Sequence, residues 1–315
     1  MIAVRTVTAW WERTWFAPAR APNLAAARII IALHALWIVL SRDYAATAGL
    51  PRAFWDEVDL TLRLRYLVVP GQPLLEHVLV VLTVIGLVGV ALGVAPRVTC
   101  LASALLLYHL APLEVILWTA SPYERGLEIS VIALVVLAVA PSADAWSVSS
   151  RSEDPERVAT GAYRWPLVLI QLLLAQIYLF AGYSKLVRAG LGWVSADNLR
   201  RWLLVFSQQD QVVVFHGLGG WIADRPAVAL AAAVFAMLLD LGFILAVFWP
   251  KARWIVLPAA LAFHTGIVLS MNIVFLNLPQ LLVFVDWEAI ARRAGSRRAG
   301  GAVLRPSPHP DKLPA

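Results

Sequence analysis

Charge, cysteine and regular alternation are what this chain is short of. Only 15% of its 315 residues are charged, far below the quarter or so usual in a soluble domain. The single cysteine, Cys100, lies inside an apolar run, so no intrachain disulfide can form. Ten-residue segments that alternate apolar and polar are absent, which excludes a transmembrane β-barrel. There is no Walker A motif, no dinucleotide fingerprint and no serine nucleophile elbow. The membrane histidines stand alone, with no His-x₃-His pair and no cysteine cluster, so no metal site is predicted. The compact apolar core and cleavage site of a signal peptide are missing from the start, where Arg5, Arg13 and Arg20 mix with Trp10, Trp11, Trp15 and Phe16.

What is present is apolar surface. Sixty per cent of the residues are hydrophobic and the mean hydropathy is +0.74. Several runs are long enough to cross a hydrocarbon core of about 30 Å. The expected fold is all-α, a polytopic integral membrane helix bundle of about eight transmembrane helices. Residues 1–23 read as a cytoplasmic interfacial segment, 24–287 as the membrane domain and 288–315 as a basic, Pro-rich disordered tail. The spans are expected near 24–40, 74–95, 98–118, 127–141, 165–186, 227–249, 254–270 and 272–287, the last interrupted at Asn277–Gln280. Residues 42–73 are too polar to span and read as an amphipathic re-entrant or surface helix ended by Pro70-Gly71-Gln72-Pro73. Trp118, Trp165, Trp249, Trp254 and Trp287 sit at segment ends, as an aromatic belt requires.

The net charge of +6 is no sign of nucleic-acid binding, because much of it lies in the terminal segments. With both termini cytoplasmic, fifteen Lys/Arg fall in inside segments and ten outside. That bias supports this orientation in a cell membrane. It puts Lys185 at the outer end of the fifth span.

Intramembrane polar residues are functional candidates by default. The outer half collects Glu114, Glu128 and Lys185, with His109 and His264 somewhat deeper and Asp240 and His34 near mid-depth. Gln171, Tyr178, Gly182 and Lys185 fall 7, 11 and 14 residues along from Gln171, which is one stripe at about 3.6 residues per turn. That stripe suits a helix facing protein or a cavity. Two readings of Lys185 stand side by side. It snorkels to the headgroups, or it is an amine held in an apolar pocket, where desolvation makes it a base near neutral pH. Direct contact with a carboxylate such as Glu114 or Glu128 favours a structural lysine. His34 reads as an interhelical hydrogen-bonding residue, Glu128 as a partner of Arg125 or a helix-start charge, and Asp240 as a partner of Arg28 or of a histidine.

The stretch Gln176-Ile-Tyr-Leu-Phe-Ala-Gly-Tyr-Ser-Lys185-Leu, with Trp193 following, resembles the Q-x-x-Y-x-x-A/S-G-x-x-K-L…W signature of the HTTM family. These are horizontally transferred transmembrane domains related to vitamin K-dependent γ-glutamyl carboxylase. Glu124-Arg-Gly-Leu-Glu-Ile-Ser, with Ala140-Pro141 and Trp146-Ser147, is similar to the family's fourth-span region, although Ser149 stands where its W-S-x-D ending has Asp. Phe263-His264, then Asn272 and Leu278-Pro279, resembles its H…G-x-F-P region.

The resemblance covers roughly residues 20–287. It implies Lys185 as the base that deprotonates reduced vitamin K or another membrane quinol, with Tyr178, Gly182, Tyr183, His264 and His109 lining the pocket. Glu114, Glu128, Gln171 and Asp240 would be supporting polar groups. In the carboxylase the oxygenated quinol removes a glutamate γ-proton and CO₂ adds. The chain ends soon after its last span, without the carboxylase's large extramembrane domain, so carboxylation of a propeptide-tagged protein is not expected. The implied setting is a bacterial inner membrane. The implied partners are the lipid bilayer, a quinol and a peptide or small-molecule substrate. The alternative is a non-catalytic membrane factor for peptide or lipid maturation or transport.

Overall fold

A computed structural model describes residues 2–58, 69, 71–117, 126–149, 159–207 and 217–293, without the side chains of residues 2–5, 114–117 and 207. The described residues form helices and turns, with one isolated two-residue bridge between Ala19 and Thr160. In chain order the α-helices are α1 (Ile2–Phe16), α2 (Ala21–Leu40), α3 (Tyr44–Ala48), α4 (Arg52–Glu57), α5 (Pro73–Leu92), α6 (Pro96–Leu117), α7 (Glu128–Val139), α8 (Arg164–Ala189), α9 (Ala196–Ser207), α10 (Leu218–Ala223), α11 (Pro226–Gly242), α12 (Leu245–Phe248) and α13 (Arg253–Met271).

Their boundaries follow from local chemistry. Proline opens α5, α6 and α11, where its missing N–H costs nothing and its φ is already helical. Gly93 (φ 71°) ends α5 and Gly190 (φ 57°) ends α8, each taking a backbone conformation that a Cβ disfavours. Asn272 (φ 54°) ends α13 in the same left-handed region, which asparagine tolerates better than most residues.

Among the described residues, four helical segments are long and apolar enough to cross a membrane: Ala21–Leu40, Pro73–Leu92, Gly161–Trp193 and Pro250–Met271. α7 and α11 are shorter apolar helices. Residues 42–58 hold two short helices, α3 and α4; residues 59–68 and 70 of the expected re-entrant or surface helix lie outside the described residues. The expected eighth span is not a helix of membrane length. Residues 272–277 are non-helical and Leu278–Phe284 form a 3₁₀ helix. This segment nevertheless runs back along the bundle from the end of α13 to its start, where Arg253 Nη1 donates to Phe284 O at 3.2 Å.

Contacts between distant segments give each helix its direction. Ala19 pairs with Thr160, Asn23 Nδ2 donates to Asp286 Oδ1 (3.3 Å) and Arg20 pairs with Glu288 (3.3 Å). The starts of α2 and α8 and the end of the 272–287 segment therefore share one end of the bundle. Buried Arg28 marks the same end. Its guanidinium donates to Ser142 O, to Trp146 O (2.6 Å) and to Ala91 O (3.4 Å). Ser147 Oγ adds a bond to Gly93 O (2.9 Å). The Trp146-Ser147 stretch is thus a clasp between the end of α5 and the turn after α7, and Arg28 is its cation. Arg28 makes no bond to Asp240, contrary to the sequence expectation, because its two Nη groups are held by backbone carbonyls at this end of the bundle.

Lys185 lies at the other end, where α9 and α10 form a cap. Gly219 of α10 is so close to Ser270 O at the end of α13 that a Cβ there would come within 2.6 Å of it.

Candidate functional site

α8 carries the stripe that periodicity predicts. Gln171 and Tyr178 are buried, Gly182 is buried, and Lys185 keeps a side-chain exposure of 24%. Gly182 faces α11, where a Cβ would come within 2.8 Å of Leu241 Cδ2 and 3.0 Å of Asp240 Cβ. Only a bare backbone lets the two helices meet this closely. One turn further along α8, Lys185 Nζ meets Asp240 Oδ2 at 2.5 Å. Asp240 itself is 2% exposed. The expected histidine or Arg28 partner is therefore replaced by Lys185. Sequence distance hid the pair, because 55 residues separate the two and only helix packing joins them. Trp193 covers the amine, with its ring centroid 4.2 Å from Nζ. Asn198 Nδ2 holds the Trp193 carbonyl (3.0 Å) and so ties the ring to the start of α9.

Two turns below, Tyr178 hydroxyl and His264 Nε2 of α13 are hydrogen-bonded at 2.7 Å. Phe243 stacks on the Tyr178 ring at 4.0 Å, and Phe275 meets the His264 ring edge-on at 4.6 Å. His264 is 6% exposed, and its Nδ1 is buried with no hydrogen-bond partner. Gln171 serves the bundle: it donates to Val283 O (3.1 Å) and accepts from Arg253 (3.0 Å).

The remaining predicted site residues lie elsewhere. Tyr183 is 58% exposed on the outer face of α8, so it does not line a buried pocket; it is one residue, about 100°, past Gly182 on the helix. His109 of α6 pairs with Glu76 of α5 at 2.9 Å. Glu76 was not singled out in the sequence, although a glutamate one turn into an apolar span is the same kind of signal as Glu128. Glu128 is exposed in the first turn of α7. Its expected partner Arg125 and the side chain of Glu114 lie outside the described residues. His34 behaves as a hydrogen-bonding residue between segments, with Leu276 O (2.8 Å) and Gln280 Nε2 (2.9 Å) as partners. Among the described residues, no group of three His, Cys, Asp or Glu could hold a metal.

One signal in the sequence separates Lys185 from an ordinary interfacial cation. The chain has 26 basic residues but only three lysines, Lys185, Lys251 and Lys312. Arginine does the anchoring and clasping, as at Arg28 and Arg253. The cation of the buried ion pair is the type that can release its proton.

Long apolar helices packed around buried, mutually bonded polar side chains define an all-α membrane protein. The HTTM domain family matches residues 16–285, and the chain belongs to that family. No curated protein and no solved structure matches it.

Proposed function

We propose that the α8–α11–α13 stripe is a membrane acid–base site that acts on a quinol, with Lys185 as base. The observation that carries this reading is that one buried stripe holds two bonded ionisable pairs, Lys185–Asp240 (2.5 Å) and Tyr178–His264 (2.7 Å). Burying two charges is expensive, and a pair of apolar residues would join two helices at no such cost. Buried ionisable pairs of this kind concentrate at functional sites. The residues present suit a quinol: Tyr178, Phe243 and Phe275 supply ring faces and edges, and His264 Nδ1 is a buried polar atom without a partner. When bound, the quinol supplies an acidic hydroxyl and, towards O₂, two electrons. Asp240 Oδ2 is placed to take a proton from the Lys185 ammonium, which leaves a neutral amine to receive the hydroxyl proton at Nζ. Trp193 covers the amine and limits its contact with water. The Lys/Arg bias supports an extracytoplasmic position for this end of the bundle, and the family resemblance supports a bacterial inner membrane.

The test is O₂-dependent oxidation of a naphthohydroquinone by purified protein. Wild type turns over, and Lys185→Arg and Lys185→Ala both lose at least 100-fold, the scale of general-base catalysis. A wild-type rate no higher than the protein-free rate removes the quinol reading.

A second reading keeps the family and drops the chemistry: a non-catalytic factor for peptide or lipid maturation or transport. The Lys185–Asp240 contact taken alone favours it, because a pair that only locks α8 to α11 needs no proton transfer. In that case Lys185→Arg is tolerated, while deletion of the α9–α10 cap abolishes the biological activity.

A further inference from the structure

The 272–287 segment is an unusual way to return through a membrane bundle. α13 has 19 residues and so a length of about 28 Å, close to a hydrocarbon core. The segment runs antiparallel to it, yet its first residues have no regular structure. Phe275 packs on His264, seven residues before the end of α13, or about 10 Å inward from the Lys185 end. Residues 272–275 therefore occupy the outer third of the helix length.

Backbone polar groups at that depth need partners. Further along they have them: Leu276 O accepts from His34 Nε2 (2.8 Å), Val283 O from Gln171 (3.1 Å) and Phe284 O from Arg253 (3.2 Å). His34 and Gln171, polar residues within apolar spans, and Arg253 at the start of α13 are thus the means by which the backbone of this non-helical segment is satisfied. Among the described residues, no hydrogen bond reaches the backbone N–H and C=O groups of Ile273 and Val274, and Val274 is 47% exposed. Irregular backbone of this kind does not face lipid; it is tolerated where protein buries it or where it lines water. Exposure rules out the first for Val274. The buried, unpartnered Nδ1 of His264, beside Phe275, is an independent polar group on the same side of the bundle.

We infer that residues 272–276 line a water-filled vestibule that opens at the Lys185 end of the bundle and reaches His264. The vestibule takes water and small hydrophilic solutes. It gives the Tyr178–His264 pair an aqueous proton path and leaves the apolar sides of the helices to lipid. The inference stands on backbone geometry and holds whether or not Lys185 is a base.

Cysteine accessibility tests it on the full chain, because Cys100 is the one native cysteine and is buried. In a Cys100→Ser background, Val274→Cys is compared with Leu261→Cys and Ile255→Cys, apolar positions of α13 that are 57% and 76% exposed. The probe is a charged, membrane-impermeant methanethiosulfonate, added to one face of sealed membranes at a time. Gly192→Cys marks the Lys185 face and Arg13→Cys the opposite one. Labelling in SDS shows that every thiol is present. The expected result is labelling of Val274→Cys at least tenfold faster than either α13 control, from the face that labels Gly192→Cys. A rate no higher than the controls, or labelling only from the Arg13 face, overturns the vestibule. Neither readout uses quinol turnover, so failure of the vestibule and failure of the chemistry are distinguishable.

Discussion

Asp240 can be removed alone or together with Lys185, and the two variants report different quantities. Asp240→Ala leaves an ammonium facing an apolar wall. Breaking a buried pair this way costs about 3–5 kcal/mol, and the lower figure applies here because Lys185 keeps 24% exposure. Lys185→Met with Asp240→Leu removes both charges and is expected to recover most of that loss, as measured by chemical unfolding in detergent. A double variant as unstable as Asp240→Ala would mean that the pair itself stabilises the fold. Tyr178→Phe removes the hydroxyl from His264, whose other nitrogen already lacks a partner. A loss of about 1–3 kcal/mol is expected for a buried imidazole that loses its hydrogen bond to Tyr178, read from the same unfolding curves.

At the scale of elements, the contact of α8 with α11 depends on one missing side chain. Gly182→Val pushes a branched Cβ against Asp240 Cβ and Leu241. Overpacking of this kind costs about 1–3 kcal/mol, and it also draws Asp240 away from Nζ. The expected outcome is a lower melting temperature together with loss of any Lys185-dependent activity, whereas Tyr183→Val, on the exposed face, changes neither. The crossing segment makes a parallel prediction. His34→Ala strips Leu276 O and Gln280 of a partner and is expected to cost about 1–3 kcal/mol. Proteolysis in native detergent micelles is then expected to cut within 272–280 first.

For the whole molecule, the pairs Arg20–Glu288 and Asn23–Asp286 bring the start of α2 and the end of the crossing segment to one face. The chain from α2 to residue 286 thus begins and finishes at the same end of the bundle. In a Cys100→Ser background, Asn23→Cys with Asp286→Cys is expected to join within one chain through a short bismaleimide, seen as a cross-linked peptide pair by mass spectrometry. Absence of that pair, with both thiols present, would put residue 286 on the other face. The clasp at Arg28 belongs to this scale too, since it ties α2, α5 and the turn after α7 at the same end.

Composition alone established a membrane bundle, because a chain that is 60% hydrophobic and 15% charged cannot hide its apolar surface any other way. Helical periodicity placed Gln171, Tyr178, Gly182 and Lys185 on one stripe, and the motif around them identified the family that the match over residues 16–285 establishes. Span boundaries were legible wherever proline or glycine marks them, as at Pro73, Pro96 and Pro226. Partners were not. Asp240 is 55 residues from Lys185, Glu76 is 33 from His109, and Leu276 is 242 from His34. Which polar groups meet depends on which helices pack and at what height, and neither has a signature within a local window. The expected eighth span differs from a helix for a related reason. Residues 272–287 are apolar enough to look like a helix, but side chains from α2, α8 and α13 supply the hydrogen bonds that a helix would make for itself. Sequence thus determined the solvent this protein lives in and the face that carries its candidate chemistry. Tertiary packing alone decided what each buried charge touches, because in a low-dielectric bundle a polar group is defined by its nearest partner.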